Sequence, residues 1–233
     1  MLDGRDDVLE GGNSVFDDLE LRVDGSRPFD ADTVAAAAAV CDRAEDHGGP
    51  GVVLVHVSGA PAPGWTDGLD LPTVNRWERV LRRLERLPMT TVAVAAGDCG
   101  GAALDALLAT DRRIARPGTR LLVPSERTAT WPGLALFRLV NQAGAARVRG
   151  AVLFGTPITA EEAAAIGLVD EVTDDPAVAL TELARRDGVH SGPELSIRRQ
   201  LMLDAVTTSY EDALGAHLAA CDRELRRSVG VRS

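Results

Sequence analysis

Two short apolar runs constrain the fold of this chain most. GVVLVHV (Gly51–Val57) and TTVAVAA (Thr90–Ala96) are nearly continuous stretches of apolar residues, a pattern typical of strands that are buried on both faces. Helical patterns precede and separate these runs, over Thr33–Asp46 and Pro72–Leu87. This alternation of helix and strand predicts an α/β fold with right-handed crossovers in a mostly parallel sheet.

The C-terminal part of the chain has helical patterns only. We expect helices over about 176–187, 193–208 and 210–229. The sequence therefore predicts a core over residues 1–173 and a helical C-terminal region over 174–233. Apolar stripes in that region need a partner surface, in the same chain or in a second copy. They comprise Leu195, Leu201, Leu203, Val206, Leu214, Leu218 and Leu225.

The charged residues exclude several kinds of chemistry. All 25 basic residues among the 233 are arginines. A chain without lysine cannot form a lysine Schiff base, and it cannot complete a P-loop of the G-x-x-x-x-G-K-[ST] type. Its net charge of -10 argues against nucleic acid as a partner.

The remaining composition predicts a cytoplasmic protein without a metal. We expect no membrane partner, since no apolar run approaches about 20 residues and the acidic start MLDGRDDVLEGG lacks the pattern of a secretory signal. The three cysteines have no C-x-x-C spacing and are expected to be reduced thiols. The four histidines lack metal-binding spacing such as H-E-x-x-H.

Two glycine-bearing loops are candidate binding sites. Gly64–Leu71 and Gly97–Asp105 each follow a predicted buried strand, and open parallel sheets bind ligands at the carboxyl ends of their strands. Small residues at such turns let a substrate approach backbone N–H groups, and two facing loops can form an oxyanion hole. The alternative is that these glycines only make turns and allow close helix packing.

Four segments of the chain, in register, resemble the sequence motifs of one enzyme family. GWTDGLDL resembles its F-x-A-G-A-D-L loop, and CGGAALDALLATDRRIA resembles L-G-G-G-x-E-L-A-L-A-C-D-x-R-I-A. VPSERTATWPG parallels x-P-E-x-x-x-G-x-x-P-G, and AVLFGTPITAEEAAAIGLVDEV is similar to x-L-L-T-G-x-x-I-S-A-E-E-A-x-x-x-G-L-V-x-x-V. Order and spacing agree over residues 51–172. The chain thus resembles the crotonase (enoyl-CoA hydratase/isomerase) superfamily.

The resemblance implies a ββα spiral core and an acyl-CoA substrate, with no separate cofactor. Backbone N–H groups of Leu69 and Ala102 would form the oxyanion hole that polarises the thioester carbonyl. Such a hole stabilises an enolate and so makes the α-carbon acidic enough for proton transfer. The resemblance also implies a homo-oligomer, a trimer or hexamer, assembled in part through the C-terminal helices.

The acid–base residues depart from the family pattern. Hydratases of the family use two glutamates, whose positions fall on Asp105 and Ser125 of this chain. The neighbouring Glu126 enters the site if the loop slips by one residue, and Ser125 would otherwise position a water or a hydroxyl. Asp105 is the predicted proton carrier, and the alternative for it is a structural acid paired with an arginine.

Other residues of these loops are predicted to contact the substrate. They are Trp65, Gly68, Asp70, Gly101 and Trp131. Trp65 and Trp131 would wall an aromatic or apolar acyl group, or else serve packing alone. The phosphates of coenzyme A can meet only arginines here, and Arg27 and Arg138 are the candidates.

A narrower resemblance covers WERVLRRLERLP, GDCGGAALDALLATDRRIA and TWPGLALFRLVNQAG. These stretches are similar to small crotonase-like proteins of the 3,5-dihydroxyphenylglycine pathway, an antibiotic-precursor pathway. There a type III polyketide synthase builds a CoA-bound polyketide, and hydratase-like proteins assist its cyclisation and dehydration to 3,5-dihydroxyphenylacetyl-CoA. The alternatives are a generic enoyl-CoA hydratase or isomerase, and a weakly active partner that stabilises the synthase or a sister crotonase.

Overall fold

The predicted parallel sheet is present at the centre of the molecule. A computed structural model of the chain describes residues 19–47, 51–125, 129–187, 190–206 and 208–230. The strands are β1 Glu20–Asp24, β2 Val52–Gly59, β3 Thr90–Gly100, β4 Arg112–Ala115, β5 Arg120–Leu122, β6 Ile158–Thr159 and β7 Glu171–Val172. Five of them run parallel in the order β1-β2-β3-β4-β7. Strand β5 pairs with the carboxyl end of β3 and also with β6.

Helices cover both faces of the sheet, as the two valine-rich runs predict. The helices are α1 Ala31–Asp46, α2 Leu71–Leu84, α3 Ala102–Leu108, α4 Ala135–Ala143, α5 Ala145–Phe154, α6 Ala160–Ala165, α7 Pro176–Asp187, α8 Pro193–Asp204 and α9 Tyr210–Gly230. Alternate residues of β2 divide between two apolar clusters. Val53 and Val55 share a cluster with residues of α1 and α2, whereas Leu54 shares one with Ala179 of α7. The α/β fold is therefore confirmed, and no helix in the described part of the chain is long and apolar enough to cross a membrane.

Strand β3 is longer than predicted. Its pattern suggests an end at Ala96 and a tight turn over Gly97–Gly101, but the strand continues to Gly100. The extension is stabilised by β5, because Asp98, Cys99 and Gly100 pair with Arg120, Leu121 and Leu122. Gly101 alone then joins β3 to α3, which places the start of that helix directly at the end of the sheet.

One buried arginine fastens α8 to the core. The guanidinium of Arg199 donates to both carboxylate oxygens of Asp111, each at 2.6 Å, and to the carbonyls of Leu87 and Met89 at 2.7 and 2.9 Å. These carbonyls lie just after α2, which ends at Leu84 and not at the predicted Leu87. The planar fork of arginine satisfies all these acceptors at once, which an ammonium group could not do.

We expect Arg199→Met to destabilise the protein by about 3 kcal/mol, because it removes the guanidinium that pairs with the Asp111 carboxylate and the donor that serves the Leu87 and Met89 carbonyls. Urea denaturation measures this loss as a lower transition midpoint. Arg198→Met is the matched control on the same helix: its side chain is 72% exposed and pairs with Glu194 on the surface, so its loss should cost less than about 1 kcal/mol. Equal losses for the two variants would contradict an anchoring role for Arg199.

Candidate active site

Asp105 lies in the first turn of α3, at the carboxyl end of the central strand. Its N–H donates to the Gly101 carbonyl at 3.0 Å, which closes that turn. Gly101 has φ +56°, a conformation that favours glycine. A Cβ there would also lie 2.5 Å from Cγ of Pro61 and 3.2 Å from Cη2 of Trp131. The loop Ser58–Leu71 therefore packs directly over the start of α3.

An aromatic cluster encloses the Asp105 side chain, which is fully buried. Its Oδ2 accepts hydrogen bonds from the indole N–H of Trp131 at 2.7 Å and, more weakly, of Trp77 at 3.4 Å. Trp65 packs on Trp131 with ring centroids 5.1 Å apart, and Phe29 lies edge-on to Trp77 and Trp131. All three tryptophans of the chain thus converge around one carboxyl group.

Gly133 makes room for this arrangement. A Cβ at this position would collide with Oδ2 of Asp105 and would lie 2.6 Å from Nε1 of Trp131. The missing side chain lets the loop backbone close on the hydrogen bond between the carboxyl and the indole. The WPG sequence of this loop (Trp131–Gly133) therefore supplies the hydrogen-bond donor and the space that the bond needs.

Burial changes the acidity of Asp105. Loss of solvent raises the pKa of this carboxyl from 3.8 to about 7, opposed by the Trp131 hydrogen bond. The nearby Glu78 carboxylate also raises the pKa, and the Arg138 guanidinium lowers it. Oδ1 has no hydrogen-bond partner among the described residues although it is buried. A carboxyl group with such a pKa can give or take a proton near neutral pH.

An ion network fixes the two helices beside this cluster. Arg138 of α4 is buried and donates to Glu85 at 2.8 Å and to Glu78 at 3.1 Å, both on or next to α2. Glu78 also accepts a hydrogen bond from the Leu134 N–H at 2.8 Å. Trp77 and Glu78 are consecutive, so the network holds Trp77 in place next to Asp105.

Comparisons with known proteins agree with this architecture. The sequence profile described as enoyl-CoA hydratase/isomerase matches residues 71–229. A relative from Amycolatopsis orientalis named enoyl-CoA-hydratase is 54% identical over 212 residues, 91% of this chain and 98% of that protein. The chain belongs to the enoyl-CoA hydratase/isomerase family.

Solved structures of more distant proteins share the fold. The crystal structure of an enoyl-CoA hydratase from Shewanella pealeana superposes with a TM-score of 0.74 at 16% identity, covering 89% of this chain and 84% of that one. An enoyl-CoA hydratase/isomerase from Cupriavidus metallidurans gives 0.71 at 19% identity, covering 89% and 85%. At these identities the likeness shows the fold alone, and it confirms the crotonase-like architecture that the motifs predict.

The second glutamate position of the family pattern falls on Ser125, with Glu126 next to it. Ser125 is exposed, and its hydroxyl lies near Gly155 at the end of α5. Glu126 lies outside the described residues. The roles predicted for Ser125 and Glu126 therefore stay predictions.

The two predicted oxyanion-hole donors differ in their present bonding. Ala102 is the first residue of α3, where an N–H has no acceptor within the helix. The Leu69 N–H donates to the Thr66 carbonyl over 3.3 Å, a long bond that closes a turn. The hole itself stays a prediction, and Leu69 would have to exchange this weak bond for the substrate.

The predicted substrate-contact residues divide into two groups. Gly101, Trp65 and Trp131 lie within the aromatic cluster around Asp105. Gly68, with φ +75°, is exposed on the loop, and the Asp70 carboxylate caps α2 by accepting the Thr73 N–H at 2.7 Å. The capping bond gives Asp70 a structural role, and substrate contacts of these residues stay predictions.

One predicted phosphate ligand is wrong. Arg138 is buried and engaged by Glu78 and Glu85, so its guanidinium cannot reach a phosphate at the protein surface. Arg27 is exposed and stays the candidate. The sequence could not exclude Arg138 as a phosphate ligand. Its helical pattern places Arg138 on a helix but does not show that Glu78 and Glu85 lie opposite it.

Three residues of the site were not identified from the sequence. Trp77 falls at the apolar helical spacing of α2, which predicts only a core position, and no predicted role falls on Phe29 or Gly133. The signal that could have identified Trp77 is the scarcity of aromatic residues, which form 3% of the chain. Its indole N–H needs a polar partner when buried.

We expect Gly133→Ala to break the hydrogen bond between Asp105 and Trp131, because the new methyl group would occupy the position of Oδ2. Near-ultraviolet circular dichroism of the tryptophans should lose intensity, and the unfolding free energy should fall by about 1–3 kcal/mol. Gly150→Ala is the control, since its Cβ would meet Thr156 at an ordinary 3.7 Å. An unchanged tryptophan spectrum in Gly133→Ala would contradict the close packing described above.

Proposed function

We propose that the protein is an acyl-CoA dehydratase of the enoyl-CoA hydratase type, with Asp105 as its proton carrier. The observation that carries this proposal is the buried carboxyl with a pKa near neutrality and one unpartnered oxygen. It lies just after the glycine junction at which the family binds its thioester. Family membership and the hydratase name of the Amycolatopsis orientalis relative support the reaction class.

The reaction needs hydrogen-bond donors that stabilise charge on the thioester oxygen, and a base that removes the α-proton. The thioester oxygen would accept the N–H of Ala102 and, after its turn bond is exchanged, that of Leu69, so that negative charge on the enolate is stabilised. Oδ1 of ionised Asp105 would take the α-proton of a 3-hydroxyacyl thioester. The C–O bond at the β-carbon then breaks, and the leaving hydroxide takes up a proton to form water, assisted by Ser125 or Glu126.

The remaining parts of the proposal concern binding and assembly. The reaction needs no cofactor beyond the acyl-CoA itself, whose phosphates Arg27 would meet. The exposed apolar side chains of Leu214 and Leu218 on α9 support self-association. We propose a homo-oligomer, a trimer or hexamer as the family resemblance implies, and a cytoplasmic location.

Asp105→Asn should lower kcat for dehydration of a 3-hydroxyacyl-CoA by about 100-fold or more, because an amide cannot carry the proton. In the unchanged protein, kcat/KM should rise with pH through about 7, since proton abstraction needs the ionised carboxyl. Asp98→Asn is the control, because this partly exposed acid of β3 pairs with Arg120 and not with the aromatic cluster. Full activity of Asp105→Asn would overturn the assigned role.

The finer proposal is a substrate that becomes aromatic. We propose that the protein assists cyclisation and dehydration of a polyketide-CoA to 3,5-dihydroxyphenylacetyl-CoA in antibiotic biosynthesis. Its support is the similarity of three stretches to proteins of that pathway, together with the serine at the second glutamate position. Loss of water driven by aromatisation needs less acid–base power than ordinary hydration, so one carboxyl could suffice.

A reconstitution with a type III polyketide synthase and malonyl-CoA tests this substrate. Addition of the protein should increase the yield of 3,5-dihydroxyphenylacetyl-CoA, measured by liquid chromatography, and Asp105→Asn should abolish the increase. An increase that survives this substitution would instead favour a partner that stabilises the synthase or a sister crotonase. Turnover of crotonyl-CoA at about 10 s⁻¹, with no effect on the synthase product, would favour a generic enoyl-CoA hydratase or isomerase.

A further inference from the structure

The Asp105 carboxyl is held by one of its two oxygens. Both indole N–H groups that reach it, from Trp131 and Trp77, donate to Oδ2, at 2.7 and 3.4 Å. The two donors come from different elements, the loop after β5 and helix α2. The shorter bond, from Trp131, has the length of a strong charge-assisted hydrogen bond, so Trp131 dominates the orientation of the carboxyl.

The other oxygen is left for a different partner. Oδ1 is buried and has no hydrogen-bond partner among the described residues, whereas buried polar atoms in proteins are nearly always paired. The two oxygens therefore differ in kind: Oδ2 is engaged by the two indoles, whereas Oδ1 has no hydrogen-bond partner among the described residues.

Trp131 is itself held in position. Its backbone N–H donates to the Pro124 carbonyl at 3.2 Å, and its ring contacts Trp65 and Phe29 at centroid distances of 5.1 and 5.7 Å. On a further side the ring lies against Gly101. A ring confined on these sides keeps its N–H directed at Asp105.

We propose that Trp131 is a positioning residue that fixes the Asp105 carboxyl through Oδ2 and so presents Oδ1 as the proton-carrying atom. This inference rests on the proposed function of Asp105, but the contact it invokes can be tested without turnover. The charged and titratable groups that act on Asp105 besides the indoles are Glu78 of α2 and Arg138 of α4, and the buried Cys99 of β3 is affected by it in turn. These groups are unchanged in the variants below.

The direct test is the pKa of Asp105, measured by carbon-13 NMR of the carboxyl and assigned by its absence in Asp105→Asn. Trp131→Phe keeps an aromatic ring but removes the N–H that favours the ionised form, so the pKa should rise. Trp77→Phe should raise the pKa less, because its bond is longer. Trp65→Phe is the matched control: this ring packs on Trp131, but the indoles that donate to Asp105 are those of Trp131 and Trp77, so the pKa of Asp105 should stay unchanged.

The pH dependence of the reaction rate provides a second test of the proposed role of Trp131. In Trp131→Phe the rise of kcat/KM with pH should move to higher pH, and kcat at pH 7 should fall on the order of 10-fold. A structural role alone would lower stability without moving the pH profile. An unchanged Asp105 pKa in Trp131→Phe, or an equal rise in Trp65→Phe, would overturn the proposal.

If Trp131→Phe fails to fold, a variant in which Trp131 is the single remaining tryptophan provides an independent test. In Trp65→Phe/Trp77→Phe the emission of Trp131 should titrate with Asp105, and Asp105→Asn in that background should abolish the titration. A titration that persists without Asp105 would overturn the proposal. Full dehydration activity in Asp105→Asn, with these pKa shifts still present, would instead defeat the proposed function and leave the contact intact.

Discussion

A carboxyl group removed from water, with an indole N–H on one of its oxygens, is the interaction on which the site depends. Ionising a buried acid is costly, because the protein interior replaces the hydration of the charge poorly. Here burial raises the pKa of Asp105 to about 7, and the Trp131 hydrogen bond limits the rise. As a result, the Asp105 carboxyl populates both its protonated and its ionised form near neutral pH.

The scaffold creates this environment with few residues. The extension of β3 along β5 carries the chain to Gly101, and the first turn of α3 then directs Asp105 into the aromatic cluster. Gly101 and Gly133 are needed for space, the first beneath Pro61 and Trp131 and the second beside the carboxyl itself. In a chain so poor in aromatic residues, the concentration of its tryptophans here is a feature of this site.

Arginine supplies the buried cations of this lysine-free chain. Arg199 fastens α8, Arg138 joins α4 to α2, and Arg113 donates to the carbonyls of Leu108 and Thr110. Each guanidinium serves several acceptors in fixed geometry, which suits turns where carbonyls converge. In this lysine-free chain, buried arginines thus make the contacts that hold several helices against the core.

The sequence predicts the scaffold well and the site in part. The two apolar runs and the C-terminal helical patterns are local, and the structure has strands and helices at these places. Gly101 and Asp105 were identified because the motif carries their spacing. The role of Trp77 and the burial of Arg138 depend on contacts between α2, α3 and α4, which no local pattern contains. The extended end of β3 likewise depends on pairing with a strand 20 residues away.

The central claim is that the acyl group of a thioester is processed at Asp105. A crystal structure with a bound 3-hydroxyacyl-CoA analogue tests it most directly. The account predicts the thioester oxygen within hydrogen-bond distance of the Ala102 N–H and the α-carbon beside Oδ1 of Asp105, with Trp131 still bonded to Oδ2. A thioester bound elsewhere on the protein, with Asp105 still enclosed by the aromatic cluster and out of reach of the ligand, would contradict it.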